Sequence, residues 1–296
     1  MINSDALIKM KTETKTNNII KKIGDLALEA MLVEVSVTPK PGLVDRNNSG
    51  AHSDMDYFTF IRSAASLRSC FENFAILGFN SDYLKNSWPE MRSIGIEAEK
   101  KMFNATAGIN THKGEIFSLG LLSACAGYFY KQNGFFNADE ILCLCSEICT
   151  GLCDKDFERL KNNHDNLTKG ERVFLQYGLK GVRGEAESGY PIVNKYALPA
   201  LKKLLNNDFT LNDALTVALL EIIAHNDDSN IISRHDLKTC EYVKNCASEI
   251  FMKLEKNFDV NLILALDQDF ITKNISPSGS ADLLAVTYFL YSLEKI

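Results

Sequence analysis

The sequence predicts an all-α protein, and three observations support this. Apolar residues recur at intervals of three and four along most of the chain, as they do on the buried face of an amphipathic helix. Polar residues that can cap a helix stand just before several of these segments. No run of alternating β-branched and aromatic residues is present, and no Asn-Gly or Asp-Gly turn joins two such runs. We therefore expect a single multi-helix bundle.

The helical segments follow one another with no linker or repeat between them. Residues 1–17 are polar, so we expect a frayed leader before one all-α catalytic domain over residues 18–296. Residues 19–31 and 58–77 have apolar side chains at helical spacing. Residues 116–130 are apolar on nearly every side, which predicts a helix buried at the centre of the bundle.

Further helix starts are predicted by side chains that accept hydrogen bonds from the free N–H groups of a first turn. A Ser or Thr followed three residues later by Glu forms a capping box. The predicted caps are Ser87 with Glu90, Asn137, Thr168 with Glu171, and Thr210 with Asp213.

The composition is that of a soluble globular protein, with 46% hydrophobic and 24% charged residues. A net charge of −6 argues against a nucleic-acid-binding protein. No stretch approaches eighteen apolar residues, so we expect no membrane span. The first residues lack the apolar core of a secretory signal, and a cytoplasmic location is expected.

The eight cysteines need a separate interpretation. Cys145, Cys149 and Cys153 repeat every four residues, which places them along one face of a helix. Structural zinc sites more often use closely spaced Cys pairs held by turns. Cysteine is also a common buried residue, so free, buried thiols are expected in preference to a metal cluster or a disulfide framework.

Five segments rich in Gly, Pro and charged residues interrupt the helices. A helical bundle needs only short polar connections, and a long loop in a compact domain is usually functional or disordered. These segments therefore predict one site assembled from loops on a rigid scaffold. They are residues 38–56, 108–117, 178–191, 225–236 and 274–284.

Three of these segments have the features of anion sites. A helix N-terminus offers free N–H groups and partial positive charge, and both favour phosphate. An arginine between two glycines projects from a backbone that a ligand can approach closely. Helix capping uses glycine and serine as well, so any one of these segments can be purely structural. The predicted phosphate-binding residues are Lys113, Gly114, Arg183, Ser278, Gly279 and Ser280.

Acidic residues in the same segments predict a Mg²⁺–polyphosphate site. Mg²⁺ is commonly held by one or two carboxylates together with substrate phosphates. Asp54 and Asp56 both lie just before the 58–77 segment. One of the two is expected to cap the helix that follows and not to bind the metal. The acidic candidates are Asp45, Asp54, Asp56, Glu185, Glu187, Asp227 and Asp228.

Two His-Asp pairs leave a rival interpretation open. His164-Asp165 and His235-Asp236 have the dipeptide that all-α metal-dependent phosphohydrolases use to hold metals. The other histidines do not fall in a convincing ligand order. A two-residue motif also arises readily by chance.

Taken in order, the five segments resemble one family. They read "TPKPGLVDRNNSGAHSDMD", "GINTHKGEIF", "GLKGVRGEAESGYP", "HNDDSNIISRHD" and "NISPSGSADLL". They are similar to the signature blocks of the triphosphoribosyl-dephospho-CoA synthases, which serve citrate lyase and malonate decarboxylase. The resemblance spans about residues 25 to 290.

The resemblance implies an all-α fold and a defined reaction. ATP and 3′-dephospho-CoA would be joined with release of adenine, and a separate transferase would pass the product to an acyl carrier protein. Two positions depart from the family pattern. Ser229 stands where the family usually has Thr, and His235-Asp236 stands where it usually has Gly-Gly. The second departure leaves open another acceptor, as in a nucleosidase-like or other ribosyl-transfer enzyme. A non-catalytic helical protein that binds a nucleotide or a carrier protein is a separate alternative.

This chemistry suggests a role for each candidate. Displacing adenine from the ribose C1′ passes through an oxocarbenium-like centre, which a carboxylate can support while another group moves the proton. Glu185 is the predicted base, and Asp54, Asp56 and Asp228 are expected to hold Mg²⁺ or support the positive centre. Four residues that lie outside the three anion sites are also expected to bind substrate phosphates. They are Lys40, Arg46, His52 and Arg234.

Overall fold

The computed structural model describes residues 4–158, 160 and 167–296. Over these residues the regular structure is helical and contains no β-strand, which confirms the all-α prediction. A short 3₁₀ turn (Leu84–Ser87) and a π-helical turn (Val193–Ala197) accompany the α-helices. The α-helices are α1 (Ser4–Ser36), α2 (Tyr57–Ala65), α3 (Arg68–Asn80), α4 (Trp88–Ala105), α5 (Lys113–Asn133), α6 (Ala138–Cys149), α7 (Leu152–Glu158), α8 (Lys169–Tyr177), α9 (Gly181–Glu187), α10 (Leu198–Asn206), α11 (Leu211–His225), α12 (Ser229–Arg234), α13 (Leu237–Leu254), α14 (Val260–Thr272) and α15 (Ser278–Leu293).

Helices α5, α11 and α15 form the centre of the bundle. Most of their side chains are buried, as predicted for residues 116–130. Helix α1 packs against α3 and α15, α3 packs against α5, and α15 packs against both α5 and α11. Buried apolar side chains from α1 to α15 make up one continuous core. The loops at the ends of α5 and α15 are thereby anchored to the buried centre of the bundle.

Helices α3 and α5 approach each other closely because glycine lies at two of their crossing points. A Cβ atom at Gly78 would lie 1.9 Å from the carbonyl oxygen of Ala124. A Cβ atom at Gly127 would lie 2.3 Å from the carbonyl oxygen of Ala75. Neither position has room for a side chain, so the two backbones pack almost directly on each other.

The predicted helix caps at three positions are confirmed. The side chains of Asn137, Thr168 and Thr210 each accept a hydrogen bond from the first turn of a helix. The capping box predicted at Ser87 is wrong, since Ser87 makes no capping hydrogen bond. It ends the 3₁₀ turn that leads directly into α4, and its hydroxyl lies 2.9 Å from that of Ser81.

The cysteines are free thiols, and most of them are buried, as expected; Cys143 is exposed and Cys246 half-buried. Within the described ranges, no three His, Cys, Asp or Glu side chains are grouped so that they could hold a metal ion by themselves. Burial raises the pKa of Cys145 well above its ordinary value, which makes this thiol unreactive. The cysteine-bearing helix α6 is therefore part of the core.

Three further expectations concern the N-terminal residues, the 58–77 segment and membrane-spanning helices. Helix α1 begins at Ser4, so the backbone of residues 4–17 is helical; fraying of this polar leader stays a prediction. The 58–77 segment is divided at Ser66 and Leu67 into α2 and α3. In the part of the chain that the structure describes, no helix combines the length and apolar character needed to cross a membrane.

Candidate active site

The 38–56 loop follows a defined path because two carboxylates hold its backbone. Asp45 accepts hydrogen bonds from the backbone N–H groups of Lys40 and Asn48, at 3.0 and 3.1 Å. Asp267 on α14 accepts from the backbone N–H of Gly42 at 2.8 Å and from the Asn48 amide at 2.9 Å. Gly42 has a φ of +69° and packs against the backbone of the 274–284 segment. The loop is therefore built into the fold as one wall of a site.

That wall faces a cavity of about 320 Å³, which we call the polar cavity. Its lining comes from the 38–56, 108–117, 225–236 and 274–284 segments, with Glu34 of α1, Phe60 of α2 and Lys169 of α8. Four of the five segments singled out in the sequence thus meet at one place. The 178–191 segment does not line this cavity.

Three cationic side chains line the polar cavity. Lys113, Lys169 and Arg234 line it, and Lys113 also marks the N-terminus of α5. Ser278, at the N-terminus of α15, lies on the same cavity. Two helix N-termini and three cationic side chains provide positive charge and N–H donors, which together suit a polyphosphate.

Gly114 is needed for close packing in the first turn of α5. A Cβ atom at this position would lie 1.9 Å from Oδ2 of Asp282 on α15. The carboxylate of Asp282 therefore lies directly against the start of α5, at the wall of the polar cavity. Any side chain at position 114 would displace it.

Carboxylates that the sequence analysis missed, the buried Glu115 and the half-buried Asp282, also line the cavity. Burial, together with the neighbouring Glu34 and Asp282 carboxylates, raises the pKa of Glu115 well above its ordinary value. Burial and the nearby Asp228 and Glu34 raise the pKa of Asp282 in the same way. Such shifts arise where like charges are held together away from water. The site is therefore prepared to accept a cation or to take up protons.

Lys40 and Glu34 form a buried ion pair in the lining of the same cavity. Both side chains are only 1% exposed, and Nζ of Lys40 donates to Oε1 of Glu34. Burial raises the pKa of Glu34, while the charge of Lys40 opposes that rise. Lys40, predicted as a phosphate ligand, thus lines the cavity but is held by a carboxylate.

His52 connects the 38–56 loop to the 274–284 segment. Its Nε2 forms a 2.8 Å hydrogen bond with the hydroxyl of Ser276. Burial and the charge of Arg234 lower the pKa of His52, so its ring is neutral at pH 7. His52 lines the polar cavity as a neutral hydrogen-bonding group.

Asp54 and Asp56 have different roles in the structure. Asp56 is the cap of α2: it accepts from the backbone N–H of Thr59 at 2.8 Å and from its hydroxyl at 2.6 Å, within a capping box. Asp54 lines the polar cavity with a side chain that is 62% exposed, and its Oδ1 lies 3.8 Å from Nδ1 of His52. The structure thus decides which of the two predicted candidates is the cap.

Substitutions at these two positions should separate the two roles. We expect Asp56→Ala to lower the melting temperature by a few degrees through loss of the cap, with little change in kcat. Asp54→Ala should leave the melting temperature unchanged and reduce kcat at least 10-fold. Thermal unfolding and steady-state kinetics on both variants measure this, and the opposite pattern would exchange the two assignments.

Asp228, Gly279 and Ser280 form a supporting layer beneath the cavity. Asp228 is buried and caps α12 by accepting from the backbone N–H of Asn230 at 2.9 Å. Its other oxygen accepts from the backbone N–H of Ser280 at 3.0 Å and from the hydroxyl at 3.2 Å. A Cβ atom at Gly279 would lie 3.1 Å from the same carboxylate. These residues join α12 to the start of α15.

Besides Asp56, Asp228, Gly279 and Ser280, three further predicted site residues lie outside the polar cavity. Arg46 is exposed, and its Nε donates to the hydroxyl of Thr38 at 3.2 Å. Arg183 lines a neighbouring cavity that shares Lys113 with the polar cavity. Glu185 accepts from the backbone N–H of Ile192 at 3.4 Å, and burial raises its pKa to about 7. That pKa would suit a base, but the structure does not place this carboxylate on the polar cavity.

The His-Asp pair at positions 235 and 236 has structural contacts. Asp236 caps α13 by accepting from the backbone N–H of Thr239 at 2.7 Å. Nε2 of His235 lies 3.0 Å from the carbonyl oxygen of Asn274. The other pair, His164-Asp165, lies outside the described residues. Neither residue of the 235–236 pair lines the polar cavity, so the two residues that replace Gly-Gly do not narrow it.

Comparison with known proteins identifies the family. The CitG family, ATP:dephospho-CoA triphosphoribosyl transferase, matches residues 20–296. The chain belongs to this family. As members of this family are transferases, the protein is an enzyme of the triphosphoribosyl-dephospho-CoA synthase type, as the five segments suggested.

Curated relatives in the family are similar along nearly their whole length. The 2-(5″-triphosphoribosyl)-3′-dephosphocoenzyme-A synthase of Escherichia fergusonii is 39% identical over 279 residues, covering 93% of this chain and 92% of that protein. A Vibrio cholerae protein to which the same activity is ascribed is 39% identical over 288 residues, covering 96% of this chain and 91% of its own.

A solved structure shares the fold. It is a protein from Archaeoglobus fulgidus to which triphosphoribosyl-dephospho-CoA synthase activity is ascribed. The TM-score is 0.52 with 17% sequence identity, and the match covers 79% of this chain and 98% of that one. At this identity the likeness supports the helical architecture of the family and no detail of the site.

Proposed function

We propose that the protein transfers the 5-triphosphoribosyl group of ATP to the 2′-hydroxyl of 3′-dephospho-CoA and releases adenine. The observation that carries this proposal is the polar cavity, whose lining combines cationic side chains, two helix N-termini and carboxylates with raised pKa values. A triphosphate needs the first set of groups, and a ribose C1′ that becomes positive needs the second. The product would then be passed by a separate transferase to an acyl carrier protein.

The cationic groups of the cavity would bind the triphosphate. Lys113, Lys169 and Arg234 supply three positive charges, although Lys113 also pairs with Glu99 at 2.9 Å, and the starts of α5 and α15 add partial positive charge. Since the triphosphate is retained in the product, its role is to position the ribose, and positioning supplies much of the rate of such reactions.

Mg²⁺ fits the carboxylates on this cavity. Oε2 of Glu34 and Oε2 of Glu115 are buried and, among the described residues, have no hydrogen-bond partner. Of the three predicted metal ligands, only Asp54 lines the cavity. We propose that Asp54 and Glu115 would hold Mg²⁺ together with phosphate oxygens, because Mg²⁺ needs few protein ligands when a polyphosphate supplies the rest. Bound there, it would neutralise part of the triphosphate charge.

We propose Asp282 as the group that takes the proton from the attacking hydroxyl. The oxygen of the acceptor's 2′-hydroxyl forms a bond to C1′ while the bond from C1′ to N9 of adenine breaks. The electron pair of that bond leaves with adenine. The acceptor hydroxyl loses one proton and adenine gains one, so no net proton is released. Asp282 lies on the cavity against the start of α5, and its raised pKa suits a base. Glu185 stays a prediction for the same role.

The test is incubation of the protein with ATP, Mg²⁺ and 3′-dephospho-CoA, followed by mass spectrometry. We expect free adenine and an acceptor adduct in equal amounts. Adenine without an adduct would show a nucleosidase, and release of ADP or phosphate would show a phosphohydrolase; either result would overturn the proposal. A reaction without added metal, in the presence of a chelator, should be at least 10-fold slower if Mg²⁺ is needed.

A further inference from the structure

A second cavity lies beside the polar cavity and is bounded mainly by apolar side chains. Its volume is about 220 Å³, and it lies between α4 and α5, with further contributions from α3, α7 and α9. We call it the α4 cavity. Lys113 lines both cavities, so the two meet at the first residue of α5.

The packing of α4 against α5 sets the order of groups along the α4 cavity. A short loop (residues 106–112) joins the two helices, which pack against each other and therefore run antiparallel. At the end that adjoins the polar cavity, Nζ of Lys113 lies 2.9 Å from Oε2 of Glu99. The next lining residues are Ile116 on α5 and Ile96 on α4, and Met91 lies farther from the ion pair. Apolar surface therefore begins directly beside the Lys113–Glu99 pair.

Gly95 leaves part of this cavity open. A Cβ atom at position 95 would have one neighbour within 4 Å, Cζ of Phe74 at 4.0 Å. At Gly120 on α5, by contrast, a Cβ atom would lie 2.6 Å from the Phe74 ring, so packing there requires glycine. Glycine inside a helix is destabilising relative to alanine, and among the described residues no packing contact requires it at position 95. Gly95 therefore preserves space that a ligand can occupy.

The walls of the α4 cavity suit a flat aromatic ring system. Phe74 is buried and Phe117 is half-buried, and both rings line the cavity. The Trp88 ring is fixed because its Nε1 donates to the carbonyl oxygen of Ile148 at 3.1 Å. Ile96 is 51% exposed, so its side chain is available to cover one face of a ligand. Aromatic and aliphatic side chains of this kind bind nucleobases by stacking.

The charge and size of the α4 cavity limit what it holds. Arg92 and Arg183 also line it, but each already interacts with other groups of the protein, so neither is assigned to the ligand. Cavities that surround a whole drug-sized ligand measure about 300–1,000 Å³, which is more than the α4 cavity provides. The cavity therefore suits a single uncharged heterocycle and not a whole nucleotide.

We propose that the α4 cavity binds the adenine of ATP, which is the leaving group of the proposed reaction. This inference rests on the proposed function, in which the triphosphate occupies the polar cavity. With the triphosphate on one side of Lys113 and adenine on the other, the ribose C1′ lies where the two cavities meet.

This placement brings C1′ close to the carboxylate that is proposed to take the proton of the attacking hydroxyl. Asp282 lies against Gly114, the residue that follows Lys113, and its Oδ2 is 1.9 Å from the position that a Cβ atom of residue 114 would occupy. The hydroxyl therefore approaches C1′ from the polar cavity, while the bond from C1′ to adenine points into the α4 cavity. Attack and departure take place on opposite sides of C1′.

Gly95→Leu tests the proposal by filling the space that adenine needs. The added side chain meets no backbone, and leucine favours a helix over glycine, so we expect the variant to fold with no loss of melting temperature. Calorimetry in the presence of Mg²⁺ and without acceptor should show ATP binding at least 10-fold weaker than in the wild type. Inorganic tripolyphosphate, which has no base, should bind equally within about twofold. Gly95→Ala adds only one methyl group and should weaken ATP binding less.

Ser93→Leu is the matched control, because it adds leucine to an exposed position of the same helix outside the α4 cavity. It should bind ATP and tripolyphosphate as the wild type does. Unchanged ATP binding by Gly95→Leu would overturn the inference. Weakening of ATP and tripolyphosphate by the same factor would also overturn it, since the substitution would then have disturbed the polar cavity.

A second titration decides which substrate's adenine occupies the α4 cavity, because 3′-dephospho-CoA contains adenine as well. Gly95→Leu should bind 3′-dephospho-CoA as the wild type does, within about twofold. If this variant binds 3′-dephospho-CoA at least 10-fold more weakly and ATP normally, the cavity holds the acceptor's adenine and the inference is wrong. Equal weakening of both substrates would reject it as well.

Binding measurements separate this inference from the proposed reaction. Weaker ATP binding by Gly95→Leu, together with no adenine release by the wild type in the assay, would reject the reaction and keep the adenine site. Formation of adenine and adduct by the wild type, together with unchanged ATP binding by Gly95→Leu, would keep the reaction and reject the adenine site. Absence of ATP binding by the wild type would reject both.

Discussion

Replacing Asp282 by asparagine is expected to lower kcat by about 10²- to 10⁴-fold, the usual effect of removing one acid–base group. The side chain keeps its size, so its packing against Gly114 at the start of α5 is preserved. The amide cannot accept the proton of the attacking hydroxyl. Adenine release at saturating ATP and 3′-dephospho-CoA measures the loss.

Asp282→Asn should lower kcat without lowering the stability of the folded protein. Because burial raises the folded-state pKa of Asp282 above its unfolded value, its contribution to stability is present at low pH and is lost as the pH rises through the folded-state pKa. Asparagine mimics the protonated acid. We therefore expect Asp282→Asn to be as stable as the wild type at pH 4 and at least as stable at pH 8, so that reduced activity does not reflect unfolding.

Glu185→Gln is the comparison that decides between the two candidate bases. If Asp282 is the base, Asp282→Asn loses activity and Glu185→Gln retains most of its turnover. The reverse result would assign the base to Glu185, whose pKa of about 7 is suited to it, and would require the 178–191 segment to reach the reacting atoms.

In the wild-type enzyme, kcat/KM should rise with pH above the ordinary carboxyl range near about 4, because Asp282 must lose its proton.

The sequence predicted the scaffold better than the chemistry because helices depend on local pattern. The buried α5 and the caps at Thr168 and Thr210 follow from spacing along a few residues. The Ser87 cap failed because a preceding 3₁₀ turn, which the pattern did not reveal, delivers the chain to α4 in another geometry. The residue at which a helix begins thus depends on the structure of the segment just before it.

The sequence analysis missed Glu34 because it lies in a helix that was interpreted as scaffold. It missed Glu115 and Asp282 although both lie in site segments, because they come after the helix starts on which the prediction depended. A charged residue in an amphipathic helix normally faces water, so Glu34 near the end of α1 drew no notice. A signal was nevertheless present in α15, where Asp282 is the only charged residue in a helix that is otherwise buried and apolar. For Asp56, the Thr three positions later was the sign of a capping box that Asp54 lacks.

Only some of the loop residues predicted for the site line the polar cavity. The sequence does not show which loops lie close together, because that depends on how the helices pack. Lys113 and Arg234 meet at one cavity although more than a hundred positions separate them in the sequence. Arg46 and Glu185 come from equally suggestive segments and lie off that cavity. A family resemblance ordered the segments along the chain, but only the packing of α5 and α15 shows which of them face each other.

Lys40→Met is expected to destabilise the protein by about 3–5 kcal/mol, the range found when one partner of a buried ion pair is removed. Glu34 would remain 1% exposed beside Glu115 with no positive charge to compensate it. Urea unfolding followed by circular dichroism measures the change. Lys169→Met, which removes an exposed lysine from the same cavity, should change stability by less than about 1 kcal/mol.

The double variant Lys40→Met with Glu34→Gln separates the ion pair from general packing. Glutamine carries no charge, so the double variant should recover a large part of the lost stability. If the double variant is no more stable than Lys40→Met, the loss comes from the methylene stem of Lys40 or from the loop backbone, and the buried charge is not the cause.

The pH dependence of Lys40→Met gives an independent check on the same argument. Lys40 opposes the rise in the pKa of Glu34, so removing it should raise the folded-state pKa of Glu34 further above the unfolded value. A group with a raised folded-state pKa contributes stability at low pH that is lost as the pH rises. The stability difference between wild type and Lys40→Met should therefore be small near pH 4 and grow towards pH 8. A difference independent of pH would show that Glu34 is not the group left uncompensated.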